Sequence, residues 1–452
     1  MKIFYDEKGP TKTPRIKSLY PTKFNFQSSD ELFDYVSFFV GFENNKEGEI
    51  ETAFKDWENR SKPSQTSANN SEFKSGSITP KLSKIKEKGI GAFNSKQVKA
   101  YSELIDMLIK FDTKYQLSIL DKVSPLFLGA LKPWLNWIDE KYKFNKFIRP
   151  LFIYSIVKYL SVESVYNSKF LEQIKFLQEN SATMPINELL EILKYGLIYF
   201  INEHKEIPRF KLQNSAYNDI VCLIDLYHPA DTLLSGNDFK ISDYNMYFGL
   251  TLMIDELLST ASFSKIYNYK ELEFYFDEKS LDNEFRKRSN SFKAVHSGLK
   301  SNEFFGLRIA DFISGLFGKL LSAINYAEQY DQTEPGKRKL LPTEWFNLYE
   351  FQFEFIKKIY DFFYVKDRNY VIYHNDYCDS FLYLDSYINL ITKFESYTTF
   401  KNYKNNLSEE HFIIYSNLTN DYFHKLEQKD RDIKESGLTY QSLEDAGILK
   451  PL

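Results

Sequence analysis

The first third of the chain alternates short apolar runs with amphipathic segments. The runs Ile3–Tyr5, Asp34–Phe42 and Gln116–Leu120 are apolar, aromatic or β-branched, and they predict strands. Apolar positions recur at helical spacing within Glu47–Arg60 and Val98–Phe111, which predicts a helix in each. Strands that alternate with helices indicate a largely buried sheet, so we expect a mixed α/β core.

The pattern changes near Ser124 and changes back near residue 266. Between Pro125 and Ser264 amphipathic helical patterns follow one another and are broken at prolines, which predicts an all-helical insertion. Strand-like composition returns at Lys270–Phe276, and Phe305–Leu321 predicts an apolar helix. We also predict a further strand over Glu72–Ile78.

These changes divide the chain into four regions. Residues 1–120 form the first part of the core, 121–265 the helical insertion, 266–325 the second part of the core, and 326–452 a helical C-terminal region. A length of 452 residues is ample for a large buried core and excludes small disulfide or zinc miniproteins. No internal repeat period is visible.

Composition narrows the classes of partner. The 58 Lys and Arg against 62 Asp and Glu leave a net charge of -4, so a nucleic acid would have to bind a local basic patch. Aromatic residues make up 17% of the chain, and we interpret this excess as core filling that follows from a coding bias. Two cysteines, no signal sequence and no apolar run of spanning length indicate a cytoplasmic protein without a membrane partner.

Three acids stand at apolar elements. Asp6 and Asp277 each end a predicted strand and each is followed by Glu and Lys, while Asp311 interrupts an apolar helix. Converging carboxylates could hold two Mg²⁺ ions about 4 Å apart for phosphodiester hydrolysis. Taken singly, each acid has a simpler explanation: Asp6 and Asp277 as turn or capping residues, and Asp311 as a partner of Arg308. The three together favour a site.

Two basic stretches adjoin these acids and are suited to phosphate binding. The first contains only one acid, Glu87, and its lysines are Lys74, Lys81, Lys84, Lys86, Lys88, Lys96 and Lys99. The second contains no acid and carries Arg286, Lys287, Arg288, Lys293 and Lys300 with His296 among them. A solvated lysine-rich loop explains the first stretch equally well, so the second is the better patch.

The order of the motifs resembles an RNase H-like family of unknown function. The segments are MKIFYDEKG, DYVSFFVGF followed by a helix, SEFKS, a strand that ends in Asp277, and SGLKSNEFFGLRIADFISG. Members of that family typically open with a Tyr-x-Asp-Glu-Ser-Gly strand and close with a helix bearing an Ala-Asp pair. The resemblance implies an RNase H-like mixed sheet whose acids bind two Mg²⁺ or Mn²⁺ ions and cleave nucleic acid. Members are often found among bacterial mobile-element and phage-defence genes.

The resemblance also implies roles for individual residues. The metal ligands and catalytic acids would be Asp6, Glu72, Asp277 and Asp311, with Glu7 and Glu278 as secondary candidates. Glu72 and Lys74 match a Glu-x-Lys motif on the third strand, and the residues that contact phosphate would be Lys74, Arg286, Lys287, Arg288 and Lys300. Lys8 departs from the family, because it replaces the usual serine. The helical insertion and the C-terminal region have no counterpart in the pattern.

Two functions remain open from the sequence. The first is a metal-dependent nuclease that acts on DNA or RNA in anti-phage or mobile-element defence. The second is a catalytically silent scaffold of RNase H-like fold whose helical regions bind a partner protein. The large helical share and Lys8 in place of serine favour the second, whereas the acids and basic stretches favour the first.

Overall fold

A computed structural model was obtained for the chain. The structure describes residues 1–8, 34–62, 73–121, 129–142, 148–161, 165–180, 182–228, 232–236, 269–277, 290, 292–327, 329–330, 339–364, 370–374 and 379–435.

Strands and helices are numbered in chain order over these residues. The strands are β1 (Lys2–Lys8), β2 (Asp34–Phe42), β3 (Lys114–Asp121), β4 (Thr183–Pro185), β5 (Leu233–Ser235), β6 (Glu273–Phe276), β7 (Ala294–His296), β8 (Gln329–Tyr330), β9 (Lys339–Leu340) and β10 (Tyr370–His374). The helices of the core and its extension are α1 (Glu47–Ser61), α2 (Ser75–Ile78), α3 (Leu82–Lys88), α4 (Ser95–Lys110), α10 (Phe305–Ala327), α11 (Glu350–Tyr364), α12 (Asp379–Thr392), α13 (Tyr397–Lys401) and α14 (Leu407–Glu435). Between them lie α5 (Lys132–Tyr142), α6 (Ile148–Ser161), α7 (Val165–Asn180), α8 (Ile186–His204) and α9 (Lys211–Asp225).

A six-stranded mixed sheet organises the core in the order β10-β3-β2-β1-β6-β7. β1, β2 and β3 form an antiparallel meander, whereas β6 pairs parallel to β1 and β7 pairs parallel to β6. Every residue of β2 is buried, which explains why its sequence is almost continuously apolar instead of alternating. The mixed α/β fold predicted from the sequence is thus confirmed.

α10 lies directly on the sheet, against β1 and β2. It can approach closely because Gly306 faces the ring of Phe4: a Cβ at this position would lie 2.3 Å from that ring. Phe4 also stacks on Tyr275 of β6 with ring centroids 4.7 Å apart, and it contacts Phe305 at the start of α10. These aromatic residues are core residues, as the composition predicted.

The strand predicted over Glu72–Ile78 is wrong over its described residues. Ser75–Ile78 forms the single helical turn α2, closed by a hydrogen bond from the Thr79 amide to the Ser75 carbonyl. The Ser75 amide is engaged by a side chain of α10 and does not join a ladder of strands. The third strand of the meander is instead β3, so the Glu-x-Lys segment does not lie on it.

The C-terminal region adds to the sheet as well as to the helical layer. β10 pairs parallel to β3 at the edge of the sheet, although the sequence pattern predicted only helices after residue 325. α11 and α12 bury their apolar faces in the same hydrophobic core as α10 and the sheet. Over the described residues, no helix is long and apolar enough to cross a membrane.

The helices α5 to α9 surround a second hydrophobic core, which contains Trp134, Ile156, Leu189 and Tyr217. An ion pair ties this unit to the C-terminal helices: Lys158 Nζ of α6 lies 2.9 Å from Asp379 Oδ2 at the start of α12. Tyr154 of α6 donates a 2.7 Å hydrogen bond to the other oxygen of Asp379. The helical unit is therefore attached to α12 by charged and polar contacts.

The contact of α10 with β1 predicts how the fold responds to one added methyl group. Gly306→Ala would drive a Cβ into the buried Phe4 ring and should reduce the free energy of unfolding by about 1–3 kcal/mol. Gly48→Ala is the matched control, because Gly48 is also the second residue of its helix and has no atom within 4 Å of an added Cβ. Urea unfolding would measure both; equal stability of the two variants would contradict this account of the contact.

Candidate metal centre

The carboxyl ends of β1 and β6 bring the acids together. Because β1 pairs parallel to β6 with Tyr5 opposite Phe276, the next residues along the two strands are Asp6 and Asp277. Asp277 directly follows β6, as predicted. Asp6 does not end its strand, since β1 continues to Lys8 and Asp6 pairs with Phe38 of β2. Asp6 is therefore fixed by its pairing with β2 and lies one residue beyond the last pair with β6.

Three carboxylates form the cluster at this edge. Asp6, Glu7 and Asp277 each offer one oxygen, and these oxygens lie within 4.8 Å of one another. Asp6 is buried, whereas Glu7 and Asp277 are half-buried, so the cluster opens toward the surface. The Glu7 amide donates a 2.8 Å hydrogen bond to Asp6 Oδ1 and helps to hold that carboxylate.

Asp311 enters from α10 and is held by its own set of donors. Lys8 Nζ donates to Asp311 Oδ1, the Ser75 amide donates to Oδ2 over 2.9 Å, and the Ser75 hydroxyl lies 3.3 Å from Oδ1. The alternative of a pair with Arg308 is wrong, because Arg308 bonds Glu58 of α1 instead. Asp311 is thus compensated by Lys8 of β1 and by Ser75, the first residue of α2.

The charges of the cluster shift the pKa values of Asp6 and Lys8. Burial raises the pKa of Asp6 well above its ordinary value, and the nearby negative charges of Asp311 and Asp277 raise it further. Burial of Lys8 opposes its charged form, but the charges of Asp311 and Asp6 outweigh this effect and raise the pKa of the ammonium. The charged form of Asp6 is therefore disfavoured, and Lys8 offsets part of this effect.

Two of the predicted phosphate-binding residues lie near the cluster. Lys74 is exposed and immediately precedes Ser75, which bonds Asp311. Lys300 is exposed and follows Leu299, whose amide bonds the carbonyl of Phe276, the residue before Asp277. Their roles stay predictions. The other predicted site residues, Glu72, Glu278, Arg286, Lys287 and Arg288, lie outside the described residues.

Lys293 of the second basic stretch lies away from the cluster. Its amide bonds the carbonyl of Leu272 and its ammonium lies 2.5 Å from Glu273, at the beginning of β6. Asp277 stands at the other end of that strand. His296 stacks on Tyr275 with ring centroids 4.6 Å apart. The described part of this stretch therefore spans both ends of β6 and is no single patch.

The donor chemistry fits a hard divalent cation. Asp6, Glu7 and Asp277 offer carboxylate oxygens, the ligands that Mg²⁺ and Mn²⁺ prefer. A cation bound there would neutralise the charge that raises the pKa of Asp6. Carboxylate clusters also occur without a metal, so the cofactor stays a prediction.

Two residues that contribute to this centre, Lys8 and Ser75, are only weakly indicated by the sequence. In the sequence Lys8 is a departure from the family pattern, yet it lies two residues after Asp6, and the two-residue period of a strand puts both side chains on one face. This two-residue period is the sequence feature that relates Lys8 to Asp6. Ser75 carried none, because its contact with Asp311 spans 236 positions.

The raised pKa of Asp6 predicts how stability changes with pH when no divalent cation is present. The folded chain keeps a proton that the unfolded chain releases, so stability falls by up to about 1.4 kcal/mol per pH unit between the ordinary and the raised pKa. Asp6→Asn removes this loss and should be more stable than the wild type above that range. Urea unfolding in EDTA across pH 5 to 8 tests it.

Asp219→Asn, an exposed carboxylate on α9, is the control and should follow the wild-type pH dependence. If the free energy of unfolding had the same slope against pH in the wild type and in Asp6→Asn, the pKa of Asp6 would not be raised.

The resemblance to an RNase H-like family rests on the sequence motifs, and the structure adds a mixed sheet with acids at one edge. Compared with protein-family models, with curated proteins and with solved structures, the chain shows no significant match. The mixed α/β architecture is what the described residues establish, and membership of that family stays a prediction.

Proposed function

We propose that the chain is a divalent-metal-dependent nuclease of RNase H-like fold that cleaves phosphodiester bonds of DNA or RNA. The observation that carries this proposal is the convergence of Asp6, Glu7 and Asp277, whose oxygens lie within 4.8 Å of one another. Carboxylates so close together repel one another, and a divalent cation is the ligand that relieves this repulsion. The biological setting that we propose is anti-phage or mobile-element defence in the bacterial cytoplasm.

The positions of the acids support the RNase H-like assignment. The resemblance implies one acid on the first strand, one at the end of a late strand and one on the closing helix. Asp6 lies on β1, Asp277 follows β6, and Asp311 lies on α10, which packs on β1. The charges of Asp277 and Asp311 both act on Asp6, so the three acids are neighbours.

The residues of the centre would have three different roles in phosphodiester hydrolysis. Asp6, Glu7 and Asp277 would hold the cation, which supplies a Lewis acid for the phosphate and lowers the pKa of a bound water. Lys8 and Ser75 fix the Asp311 carboxylate beside Asp6. Lys74 and Lys300 would bind neighbouring phosphates through charge alone, which orients a strand without reading its sequence.

Cleavage assays test the nuclease directly. The full chain is incubated with Mg²⁺ or Mn²⁺ and labelled single- and double-stranded DNA and RNA. We expect cleavage that stops in EDTA and returns when the cation is restored. Asp277→Asn should lower the rate at least about 100-fold, because one ligand of the cation loses its charge.

Asp219→Asn is again the control and should cleave at the wild-type rate, since Asp219 lies on α9 in the helical unit. Intact substrates under every condition, or equal rates for Asp277→Asn and Asp219→Asn, would overturn the nuclease.

A second candidate function is a catalytically silent scaffold, and Lys8 favours it. Its ammonium is already bonded to Asp311 and attracted by Asp6, so part of the acidic charge is neutralised without any metal. The helical unit exposes large apolar side chains that a partner protein would cover, among them Tyr195 and Tyr199 on α8 and Leu212 on α9.

Thermal unfolding separates the scaffold from the nuclease. A ligand that binds only the folded chain stabilises it, by about 2.7 kcal/mol at a hundred times its dissociation constant. A nuclease of the proposed kind should therefore unfold at a higher temperature in Mn²⁺ than in EDTA, and Asp277→Asn should lose most of this increase. A scaffold predicts the same unfolding temperature in both solutions.

A further inference from the structure

The side chain of Lys8 reaches Asp311 along a groove in α10. Gly315 and Gly318 follow Asp311 by four and seven positions, so all three lie on one face of the helix. A Cβ at Gly318 would lie 3.0 Å from Lys8 Cβ, and one at Gly315 would lie 3.4 Å from Lys8 Cε. The missing methyl groups leave the space in which the lysine extends toward the carboxylate.

Gly315 also makes room for the second partner of Asp311. A Cβ there would lie 2.4 Å from the Ser75 hydroxyl oxygen and 2.6 Å from Ser75 Cβ. The same glycine thus admits both Ser75 and the end of Lys8 to the carboxylate. The contact between Lys8 and Asp311 is consequently part of how α2, α10 and β1 pack together.

The charges around the ammonium come from several elements. Asp6 and Glu7 act on Lys8 from its own strand, and Asp311 acts from α10. The side chain of Asp311 is only 10% exposed and that of Lys8 is 34% exposed, so water screens their attraction incompletely. A second cation at Asp311 would have to displace the ammonium or lie beside it, and like charges so close repel strongly.

We propose that Lys8 is a resident cation that neutralises Asp311, so that the centre accepts one divalent ion, at Asp6, Glu7 and Asp277, instead of two. This inference rests on the proposed function, because it assigns the metal stoichiometry of the same site. It makes Lys8 a positioning residue that occupies the Asp311 carboxylate beside Asp6, so that this carboxylate does not bind a second ion. It also gives a physical meaning to the replacement of the serine that the resemblance implies at this position.

Titration of the full chain with Mn²⁺ alone tests the stoichiometry. Isothermal calorimetry of the wild type should give one ion per chain. Lys8→Ser removes the ammonium and frees Asp311, so it should bind two ions, and their proximity should broaden the electron paramagnetic resonance spectrum. Lys205→Ser, an exposed lysine after α8, is the control and should bind one ion.

A second variant, Lys8→Met, separates the loss of the charge from a loss of the fold. Lys8→Met keeps an unbranched chain in the groove while it removes the charge, so the fold should persist, as checked by circular dichroism. Without the neighbouring positive charge, the site at Asp6, Glu7 and Asp277 should bind Mn²⁺ about tenfold more tightly than in the wild type.

The outcomes distinguish this inference from the function on which it rests. Two ions in the wild type, one ion in Lys8→Ser, or unchanged affinity in Lys8→Met would each overturn the role of Lys8 while the metal centre stands. No Mn²⁺ bound by the wild type would overturn the metal centre and the role of Lys8 together. One ion in the wild type and two in Lys8→Ser, without any cleavage of nucleic acid, would support the role of Lys8 and overturn the nuclease.

Discussion

The close packing of α10 on β1 is the constraint on which the centre depends. Three glycines of α10 face this strand or α2 beside it: Gly306 over Phe4, and Gly315 and Gly318 along Lys8. With any larger residue at these positions the helix would stand farther from the sheet, and Asp311 would move away from Lys8 and Ser75. The contact of Gly306 with Phe4 at the start of α10 therefore helps to fix the position of Asp311 relative to Lys8.

At the edge of the sheet, burial and the neighbouring acids disfavour the negative charge of Asp6. The pairing of β1 with β2 and β6 places Asp6 beside Asp277, where Asp6 is only 7% exposed. The fold thus tolerates a carboxylate whose charge is disfavoured, as binding sites commonly do. Lys8 bonds Asp311 and also favours the charged form of Asp6, although burial and the neighbouring acids still raise the pKa of Asp6.

Local patterns predicted the elements well, and long-range contacts were beyond them. The continuous apolar run Asp34–Phe42 coincides with β2, because a strand buried on both faces leaves a pattern that the sequence shows directly. The composition around Ser75 predicts a strand, but the segment forms a helical turn because its geometry depends on Asp311, 236 positions away. β10 was missed because it is a short edge strand between helices. Asp277 and Asp311 were found from single apolar contexts, but only the register of β1 against β6 and the packing of α10 could place them beside Asp6.

The distance in sequence between Lys8 and Asp311 has a consequence for synthesis. These partners are 303 positions apart, so the ribosome adds 303 residues after Lys8 before the carboxylate that pairs with it exists. β1 lacks its neighbour β6 until residues 273–276 are made, and it lacks α10 until residues 305–327 are made. Fragments released early by ribosome stalling or by proteolysis before α10 would carry the first strand without its centre. Assembly of the site is in this way tied to translation of the chain through α10.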